Sequence, residues 1–513
     1  MGAGCSNLAL LSNPCELQSC VSGVTMLQRD SVSPSVQWIV DLHSDTHYNG
    51  EPVSQVFIKL FVNPFQLSIP RFQASLKRYI ISRYDNPPSK LTARLDYFMS
   101  SLYYELVLYN SVIAPIVSQH ICPFFSRVYT AGYECSYQDL LGMLPGVKDR
   151  SALSAAVLGT LTLNLGEDTR YVSKPGDVES TKFIEDLKYC MMISEVMQGQ
   201  SLHSWIYKTG LYSGRQISEE FWTIIFQVAY ACYVMELAGV VHNDLHPGNI
   251  FVTTHPAEVQ YCIQVSLVNP VFYQFKSRNQ VKVFDFDRAN FGQYDNPVMT
   301  KTSTFLEGHS YSTKVIQTKD FLKLFINLAH SALHQYKNKV ALLDPLLLLL
   351  TADARTKLEI TAMFQGSGHM QTGKLQSLPL GFYKKLFPLS KIMTGLAKLA
   401  RIKQSNNEPR LKPNEHFFAV DASFFTNSHV KTNKVHTTLR DLQLNSLSEE
   451  LRNLEQEESE KREEMEAEQQ VLRERKVSVQ QLELELGVQR YDLSQLQTHE
   501  GGVLLQMVNL LQK

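Results

Sequence analysis

The stretch VVHNDLHPGNIFV, residues 240–252, carries the strongest pattern in the chain. Two apolar valines lead into a polar loop with a proline and a glycine, and an apolar run follows, which predicts a loop between two strands. The amphipathic run at 218–238 predicts a long helix in front of it. Behind it, VKVF at 281–284 predicts a buried strand that opens into the acidic triplet DFD at 285–287. Two acidic turns therefore follow one long helix.

The loop also holds three polar residues at fixed offsets, because Asp244 follows His242 by two positions and Asn249 follows Asp244 by five. This pattern resembles the H-x-D-x-x-x-x-N catalytic loop of protein-kinase-like enzymes, and Asp285-Phe286 resembles the start of their D-F-G motif. The resemblance implies transfer of the ATP γ-phosphate. Asp244 would accept or orient the proton of the acceptor hydroxyl, and Asn249 and Asp285 would hold Mg²⁺. It further implies that His242 braces the loop through backbone contacts.

Earlier residues fit the same pattern. VFIK at 56–59 resembles the kinase strand that carries the phosphate-binding lysine, which makes Lys59 the candidate. Helical spacing at 95–117 places Glu105 on a predicted helix, and Glu105 is the candidate for the ion-pair partner of that lysine. Alone, each residue is more simply a solvated surface charge, so the argument rests on their order along the chain.

The resemblance also covers the adenine site and a later helix. Residues 187–197 predict a strand followed by a hinge, in which backbone groups of Glu195 and Met197 would meet adenine. Asp320 resembles the buried aspartate that ties a later helix to the catalytic loop. ATP and Mg²⁺ are therefore the expected cofactors.

Four features depart from the kinase pattern. His246 stands where protein kinases usually have the lysine that faces the γ-phosphate, and Asn243 replaces an arginine that reads a phosphorylated activation loop. Asp287 replaces the glycine of D-F-G. Before the phosphate-binding lysine no glycine-rich loop is recognisable, since only Gly23 and Gly50 are glycines near it. The substrate class and the phosphate-covering loop stay open on these grounds.

Taken together, the motifs and their long insertions are similar to serine/threonine-kinase-like proteins of large DNA viruses, the iridoviruses above all, over about 35–400. The resemblance implies an α+β, two-lobed protein-kinase-like fold. The predicted parts are an N-terminal segment at 1–34, a kinase N-lobe at 35–194 with an insertion at about 136–181, a C-lobe at 195–402 with a second insertion at about 253–280, a polar linker at 403–440 and a C-terminal α-helical coiled coil at 441–513.

Two rows of heptad positions predict the coiled coil. Stepping by seven from Leu444 meets seven apolar residues in eight, and stepping from Leu447 meets four in eight. Such an alternating stripe is typical of a coiled-coil seam, although charged positions weaken it. The expected partner is a second copy of the chain or another helix, bound through 441–497. A lone charged helix is the alternative.

The chain starts with MGAGCS, which fits the motif for N-myristoylation at Gly2, and Cys5 is placed for a second, palmitoyl chain. Two acyl chains anchor a protein where one binds only marginally. Membrane contact through Gly2 and Cys5 is therefore expected. The alternative is a start rich in small residues that carries no lipid.

Composition limits the classes of protein to which the chain can belong. The 513 residues are 44% hydrophobic and 19% charged with a net charge of −1, which predicts globular domains and argues against nucleic acid as a partner. The eight cysteines show no C-x-x-C pair, so a reduced, intracellular protein is expected. The resemblance to viral proteins implies the host-cell cytoplasm, at a membrane or packaged in the virion. The longest apolar run, 342–350, is too short to span a membrane.

The expected activity is that of an ATP-dependent serine/threonine protein kinase acting on a protein substrate. His246 and Asp287 favour the first alternative, an atypical kinase of a small-molecule acceptor. The second alternative is a pseudokinase scaffold that uses its coiled coil and lipidated start, and the missing glycine-rich loop favours it. Turnover of ATP separates the enzyme from the scaffold.

Overall fold

The structure is a computed structural model that combines antiparallel sheets with helices. This mixed α/β architecture is compatible with the predicted α+β class. The chain forms two compact units, Met1–Leu442 and Gln443–Lys513. The structure describes residues 7–8, 17, 19–26, 35–63, 101–143, 185–211, 217–265, 270–291, 296, 315–334, 340–365, 378–407, 416–419 and 432–511.

A five-stranded antiparallel sheet forms the amino-terminal part of the first unit. The strands of this part are β1 (Val21–Met26), β2 (Val36–Leu42), β3 (His47–Tyr48), β4 (Glu51–Pro52), β5 (Gln55–Val62), β6 (Val128–Ser136) and β7 (Lys188–Glu195). The sheet has the order β1-β2-β5-β7-β6, while β3 and β4 pair as a separate hairpin. The predicted strands around Lys59 and at 187–196 are confirmed as β5 and β7. Strand β1 lies within the segment at 1–34, so the sheet extends into that segment.

A long helix connects β5 and β6 and covers the sheet. Its described part, α1, spans 101–118, with a π-helical turn at Tyr109–Ile113 between α-helical turns at 101–108 and Ala114–Ser118. Most of its side chains are buried, in agreement with the helical spacing in the sequence. A short helix, α2 (Tyr137–Met143), follows β6. The predicted insertion at 136–181 lies mostly outside the described residues.

Helices dominate the next part of the unit. They are α3 (Leu202–Lys208), α4 (Glu219–Ala238), α5 (Lys319–His334), α6 (Asp344–Leu350), α7 (Ala354–Gln365), α8 (Leu380–Tyr383) and α9 (Leu389–Leu399). Helix α4 confirms the helix predicted at 218–238. The Ser218 hydroxyl accepts from the Phe221 backbone N–H at its start, and Gly239 ends it in the left-handed conformation at φ 75°.

Helix α4 is apolar on all sides because it is buried in the core. It is also the one helix among the described residues that is long and apolar enough to cross a membrane, and 83% of that stretch is buried inside the protein. Its apolar surface therefore packs against its own domain.

A second sheet surrounds the polar loop. Its strands are β8 (Gln200–Ser201), β10 (Ile250–Val265), β11 (Val271–Val283), β13 (Lys403–Ser405) and β14 (His416–Ala419), and a further pair is formed by β9 (Val240–Val241) and β12 (Asn290–Phe291). The predicted insertion at 253–280 is a long hairpin of β10 and β11. Strands β13 and β14 join this hairpin from the segment predicted as a polar linker, so parts of 403–440 belong to the sheet.

The second unit consists largely of helix α10 (Thr432–Leu511). Along its middle the side chains are exposed, including apolar ones such as Leu472 at 67% and Leu482 at 62%. The helix agrees with the helical periodicity of the tail, while its pairing stays a prediction.

The cysteines differ in part from the expectation of a fully reduced chain. Cys20 is disulfide-bonded. Five other described cysteines are buried and form no disulfide bond: Cys122, Cys135, Cys190, Cys232 and Cys262. Burial disfavours the thiolate and raises the pKa of Cys122 and Cys232, so these thiols are packing residues.

Candidate active site

Strand β5 and helix α1 bring Lys59 and Glu105 together. The Lys59 Nζ lies 2.5 Å from the Glu105 Oε2, and both residues are buried, at 9% and 3% exposure. Burial works against the charged amine, but the carboxylates of Glu105, Asp285 and Asp287 outweigh it and raise the pKa of Lys59. Lys59 is therefore a buried cation at neutral pH, held by the partner that the sequence predicts.

The acidic turn after β11 packs directly against this pair. The Phe286 backbone N–H donates to the Glu105 carboxylate, and the Asp285 backbone N–H donates to the Tyr109 hydroxyl oxygen. The Phe286 ring is fully buried and lies 4.8 Å from the His242 ring and 5.3 Å from the Tyr109 ring, centroid to centroid. Phe286 thus connects helix α1 to the polar loop.

Asp285 has a backbone conformation that is rare for a non-glycine residue. Its φ of 68° and ψ of 65° lie in the left-handed region, and it precedes the short 3₁₀ turn Phe286–Arg288. Such conformations persist only where surrounding contacts hold them, and they concentrate at functional sites. Strand β12 follows and pairs with β9, which fixes the turn beside the polar loop.

Asp320, at the start of α5, fixes the polar loop through its backbone. Its carboxylate accepts the backbone N–H groups of His242 at 2.7 Å and Asn243 at 2.9 Å, as the resemblance implied. Asn243 is left-handed at φ 62°, and its side-chain amide donates to the Arg288 carbonyl at 3.1 Å. The His242 Nε2–H donates to the Phe284 carbonyl at 3.0 Å, while its Nδ1 accepts the Asp244 backbone N–H at 3.3 Å. His242 therefore braces the loop, in agreement with its expected role.

The carboxylate of Asp244 is bound by two cations. The Lys323 Nζ lies 2.7 Å from Oδ1, and the Arg288 Nη1 lies 2.7 Å from Oδ2. The side chain is 14% exposed. Burial alone would favour the neutral acid, but Lys323 and then Arg288 outweigh it and hold the pKa of Asp244 below its ordinary range. Asp244 is therefore a carboxylate at neutral pH.

His246 and Asn249 complete the loop. The His246 Nδ1 accepts the Gly248 backbone N–H at 3.0 Å, and its Nε2 lies 4.0 Å from the Asp244 carboxylate. Burial lowers the pKa of His246 although Asp244 opposes it, so the neutral ring carries its proton on Nε2. The Asn249 Nδ2 donates to the Asp244 carbonyl at 3.0 Å. That contact orients the amide and reserves its oxygen for another partner.

The acidic turn that is expected to hold Mg²⁺ places carboxylate groups beside the lysine pair. Asp285 lies close enough to Lys59 and Glu105 to affect both charges. Beside it, the Oδ1 of Asp287 is buried without a hydrogen-bond partner in the described part of the chain. Burial and the charge of Asp285 raise the pKa of Asp287. This excess of negative charge fits a divalent cation.

The described side chains do not by themselves form a complete metal site. Among the described residues, no group of three or more His, Cys, Asp or Glu side chains is arranged to bind a metal ion. A cation at Asp285 would therefore need the Asn249 amide and oxygens from its ligand. This is the usual situation for Mg²⁺, which binds through one or two carboxylates and the phosphates of a nucleotide.

The expected adenine site lies at the end of β7. The Glu195 carboxylate accepts from the Lys282 Nζ at 2.9 Å and from the Arg127 backbone N–H at 2.8 Å. The Glu195 backbone N–H donates to the Arg127 carbonyl at 2.9 Å. That N–H is therefore occupied, and the expectation that backbone groups of Glu195 and Met197 meet adenine stays a prediction. Met197 is half-buried in the connection to β8 and stays a candidate.

Other predicted parts lie outside the described residues. Gly2 and Cys5, the lipidation candidates, belong to this group. Gly23 lies on β1, and residues 27–34 of the connection from β1 to β2 are also outside. The described site therefore comprises the Lys59–Glu105 pair, the polar loop at 242–249, the acidic turn at 285–288 and helix α5.

Sequence reasoning missed Lys323 and Arg288. Each lies three residues after an aspartate that was recognised, Asp320 and Asp285 respectively. On helix α5 that spacing places Lys323 on the same face as Asp320, which points at the loop. The signal was present in the sequence, but only the position of α5 relative to the loop gives it meaning.

Comparisons with known proteins do not assign the chain to a family. No known protein family matches it, and no curated protein matches it significantly.

Proposed function

We propose that the chain is an ATP- and Mg²⁺-dependent serine/threonine protein kinase with a two-lobed protein-kinase-like fold. The sheet order supports the fold, because the lysine strand β5 lies between β2 and β7 while helix α1 connects β5 to β6. The resemblance to kinase-like proteins of large DNA viruses supports a protein hydroxyl as the acceptor.

One observation carries the proposal. A buried lysine–glutamate pair, an acidic turn and an acidic loop come from four separate parts of the chain and meet at one site. Asp285 affects the charges of the Lys59–Glu105 pair, and the Phe286 ring links that turn to His242. Phosphoryl transfer needs such an arrangement, because its catalysis depends on positioning and on neutralising charge.

Each residue has a definite role in the proposed reaction. Lys59, kept charged by Glu105, binds phosphate oxygens of ATP. The Asp244 carboxylate orients the acceptor hydroxyl and takes its proton as the oxygen attacks the γ-phosphorus, while the bond from that phosphorus to the β,γ-bridging oxygen breaks and ADP leaves. Asn249 and Asp285 would hold the magnesium ion, which would supply neutralising charge to the phosphates. Arg288 binds Oδ2 of Asp244, the oxygen that Lys323 does not contact. The acceptor hydroxyl must therefore share Oδ2 with Arg288 or displace the Arg288 side chain from it.

We also propose that 441–497 associates as a coiled coil and that Gly2 and Cys5 are acylated. The exposed apolar stripe of α10 supports the first of these. The second rests on the motif alone.

The experiment is transfer of labelled γ-phosphate by the full chain with Mg²⁺, offered itself and a generic basic protein as acceptors. Asp244→Asn is expected to lower the rate by about a hundredfold or more. Asp45→Asn, which changes an exposed aspartate in the turn after β2, is the matched control and should leave the rate unchanged.

The other outcomes are equally defined. ATP consumption with label only on small acceptors would replace the proposal with a small-molecule kinase. A folded protein that binds ATP, measured by a shift in unfolding temperature, but consumes none would identify a scaffold.

A further inference from the structure

Helix α10 carries an apolar stripe with no covering surface among the described residues. The exposed members on the two heptad rows are Met465, Leu472, Val479, Leu482 and Leu486. A helix of 80 residues with such a stripe is typical of a coiled coil, in which the stripe is buried against a second helix. The charged residues within the stripe can identify that second helix and its direction.

Four charged residues interrupt the middle of the seam. In the row from Leu444 the interruption is Glu458, and in the row from Leu447 the interruptions are Lys461, Glu468 and Arg475. Positions before 458 and after 475 are apolar on both rows as far as Leu486. The stripe therefore has two apolar ends and a centre in which these charged residues are mixed with Met465 and Leu472.

A parallel pair of identical helices in register brings each seam residue opposite its own copy. Glu458 would face Glu458, and the same holds for Lys461, Glu468 and Arg475. Four layers at the centre of the seam would then oppose like charges in a partly desolvated position. Juxtaposed like charges at an interface are strongly unfavourable.

An antiparallel pair of identical helices brings residues of one row opposite residues of the other row. One register sets Glu458 opposite Arg475 of the second copy, and by symmetry this ion pair forms twice. The same register sets Leu451 opposite Leu482 and Leu454 opposite Val479, so apolar ends meet apolar ends. No seam layer opposes like charges in this arrangement.

The positions beside the seam do not favour either direction. A parallel pair gains contacts of the type Glu457–Arg462 and Glu485–Arg490. An antiparallel pair gains contacts of the type Asp441–Arg490 and Glu455–Lys476. Each arrangement also has one unfavourable acidic pair, Glu450–Glu455 in the parallel case and Glu450–Glu485 in the antiparallel case. The seam therefore decides the direction.

We propose that α10 binds a second copy of the same chain in the antiparallel direction, with Glu458 opposite Arg475. The occupant of the apolar stripe is the same stripe of another molecule, and charge complementarity sets its direction and register. This inference rests on the proposed coiled coil and is independent of the proposed kinase activity.

A charge exchange in the full chain tests the direction. Glu458→Arg alone sets Arg opposite Arg475, and Arg475→Glu alone sets Glu opposite Glu458, so each should raise the dimer dissociation constant about tenfold or more. The double variant restores opposite charges and should recover most of the affinity. Glu460→Arg and Arg473→Glu make the same charge changes outside the seam and should leave affinity unchanged. Sedimentation velocity over a dilution series measures the constant, and circular dichroism verifies that each variant keeps its helix content.

The ion pair of Glu458 with Arg462 in the same helix does not account for the expected changes in dimer affinity. The Arg462 Nη2 lies 2.9 Å from the Glu458 Oε1 on an exposed face. The double variant loses this contact as the single variant does, so recovery can come only from the partner helix.

Each other outcome overturns the proposal in a specific way. A wild-type chain that stays monomeric, or forms trimers or larger species, refutes the dimer itself. Dimers whose affinity none of the exchanges changes refute the antiparallel register, because a parallel seam keeps like charges opposed in every variant. Weakened single variants without recovery in the double variant also refute the pairing of Glu458 with Arg475.

Discussion

At the scale of single residues, the decisive feature is that Asp244 meets Lys323 as well as Arg288. The Lys323 Nζ also lies 2.6 Å from the Asn243 carbonyl, and Lys323 is buried at 7% exposure. A loop carboxylate is thus fixed by a helix residue 79 positions later. The proposed function gives this contact a purpose, since Lys323 orients one oxygen of Asp244 while Arg288 contacts the other.

Replacing Lys323 by methionine keeps the length of the side chain and removes its charge. We expect the rate of phosphoryl transfer to fall about tenfold to a hundredfold, with little change in KM for ATP. Because a cation that lowers the pKa of Asp244 is lost, the acid limb of the pH–rate profile should move to higher pH. Steady-state kinetics between pH 4.5 and 9 measures both effects.

Lys319→Met is the matched control for that variant. Lys319 is one turn earlier on α5 and lies 3.5 Å from the Asn243 Oδ1, so it adjoins the loop without a contact to Asp244. The Lys319→Met variant should keep the acid limb of the pH–rate profile at its wild-type position. An equal displacement in both variants would mean that α5 acts only by general packing.

At the scale of secondary-structure elements, α4 and α5 are connected by a buried carboxylate. Glu236, near the end of α4, accepts the Thr318 backbone N–H at 2.5 Å just before α5 begins. Burial and the nearby Asp320 raise the pKa of Glu236 to about 8, although the Thr318 contact opposes the shift. The helix that supports the polar loop is therefore positioned by a titratable group.

This pKa gives stability a pH dependence. A glutamate has a pKa of about 4.3 in the unfolded chain, so between that value and about 8 the folded protein binds more protons at Glu236. The free energy of unfolding must therefore fall as pH rises through this window. Glu236→Gln should remove that fall and make the protein more stable at pH 8 by about 1 kcal/mol or more, with little difference at pH 4.5.

Urea unfolding at several pH values measures the difference. Glu219→Gln, at the exposed start of the same helix, removes a carboxylate that forms only a surface ion pair with Arg401. If the free energy of unfolding of Glu236→Gln changed with pH as that of the wild type does between pH 4.5 and 8, Glu236 would not be the source of the pH dependence.

At the scale of the whole molecule, the chemistry is confined to one unit and the proposed association to the other. The unit Met1–Leu442 contains all of the proposed catalytic residues, and Gln443–Lys513 contains most of α10. Two identical chains joined through α10 would carry two kinase sites and two acylated starts. Such a molecule would bind a membrane through four acyl chains, which anchors far more firmly than one.

The acylation has a direct test. The N-terminal peptide of the full chain expressed in eukaryotic cells should carry the myristoyl mass at Gly2, and Gly2→Ala should remove it. Cys5→Ser should keep that mass but release most of the protein from vesicles, because one chain binds only marginally. An unmodified or merely acetylated peptide from the wild-type chain would disprove the assignment.

Much of the site was predictable from local patterns. The loop of His242, Asp244 and Asn249, the acidic turn at Asp285 and the helix at 218–238 are written in short spacings and apolar periodicity. The candidates Lys59, Glu105 and Asp320 followed from their order along the chain and the resemblance. These features were accessible because each depends on residues close together in the sequence.

The sequence by itself therefore determined the helices, the strands, the motif residues and the charge pattern of the tail. Only the tertiary structure decided that Lys323 and Arg288 meet at Asp244, that Phe286 joins α1 to the loop, and that the predicted linker adds strands to the second sheet. Periodicity encodes which face of an element is buried, but not which distant element covers it. That choice depends on how all the buried faces pack at once, and packing is a property of the whole fold.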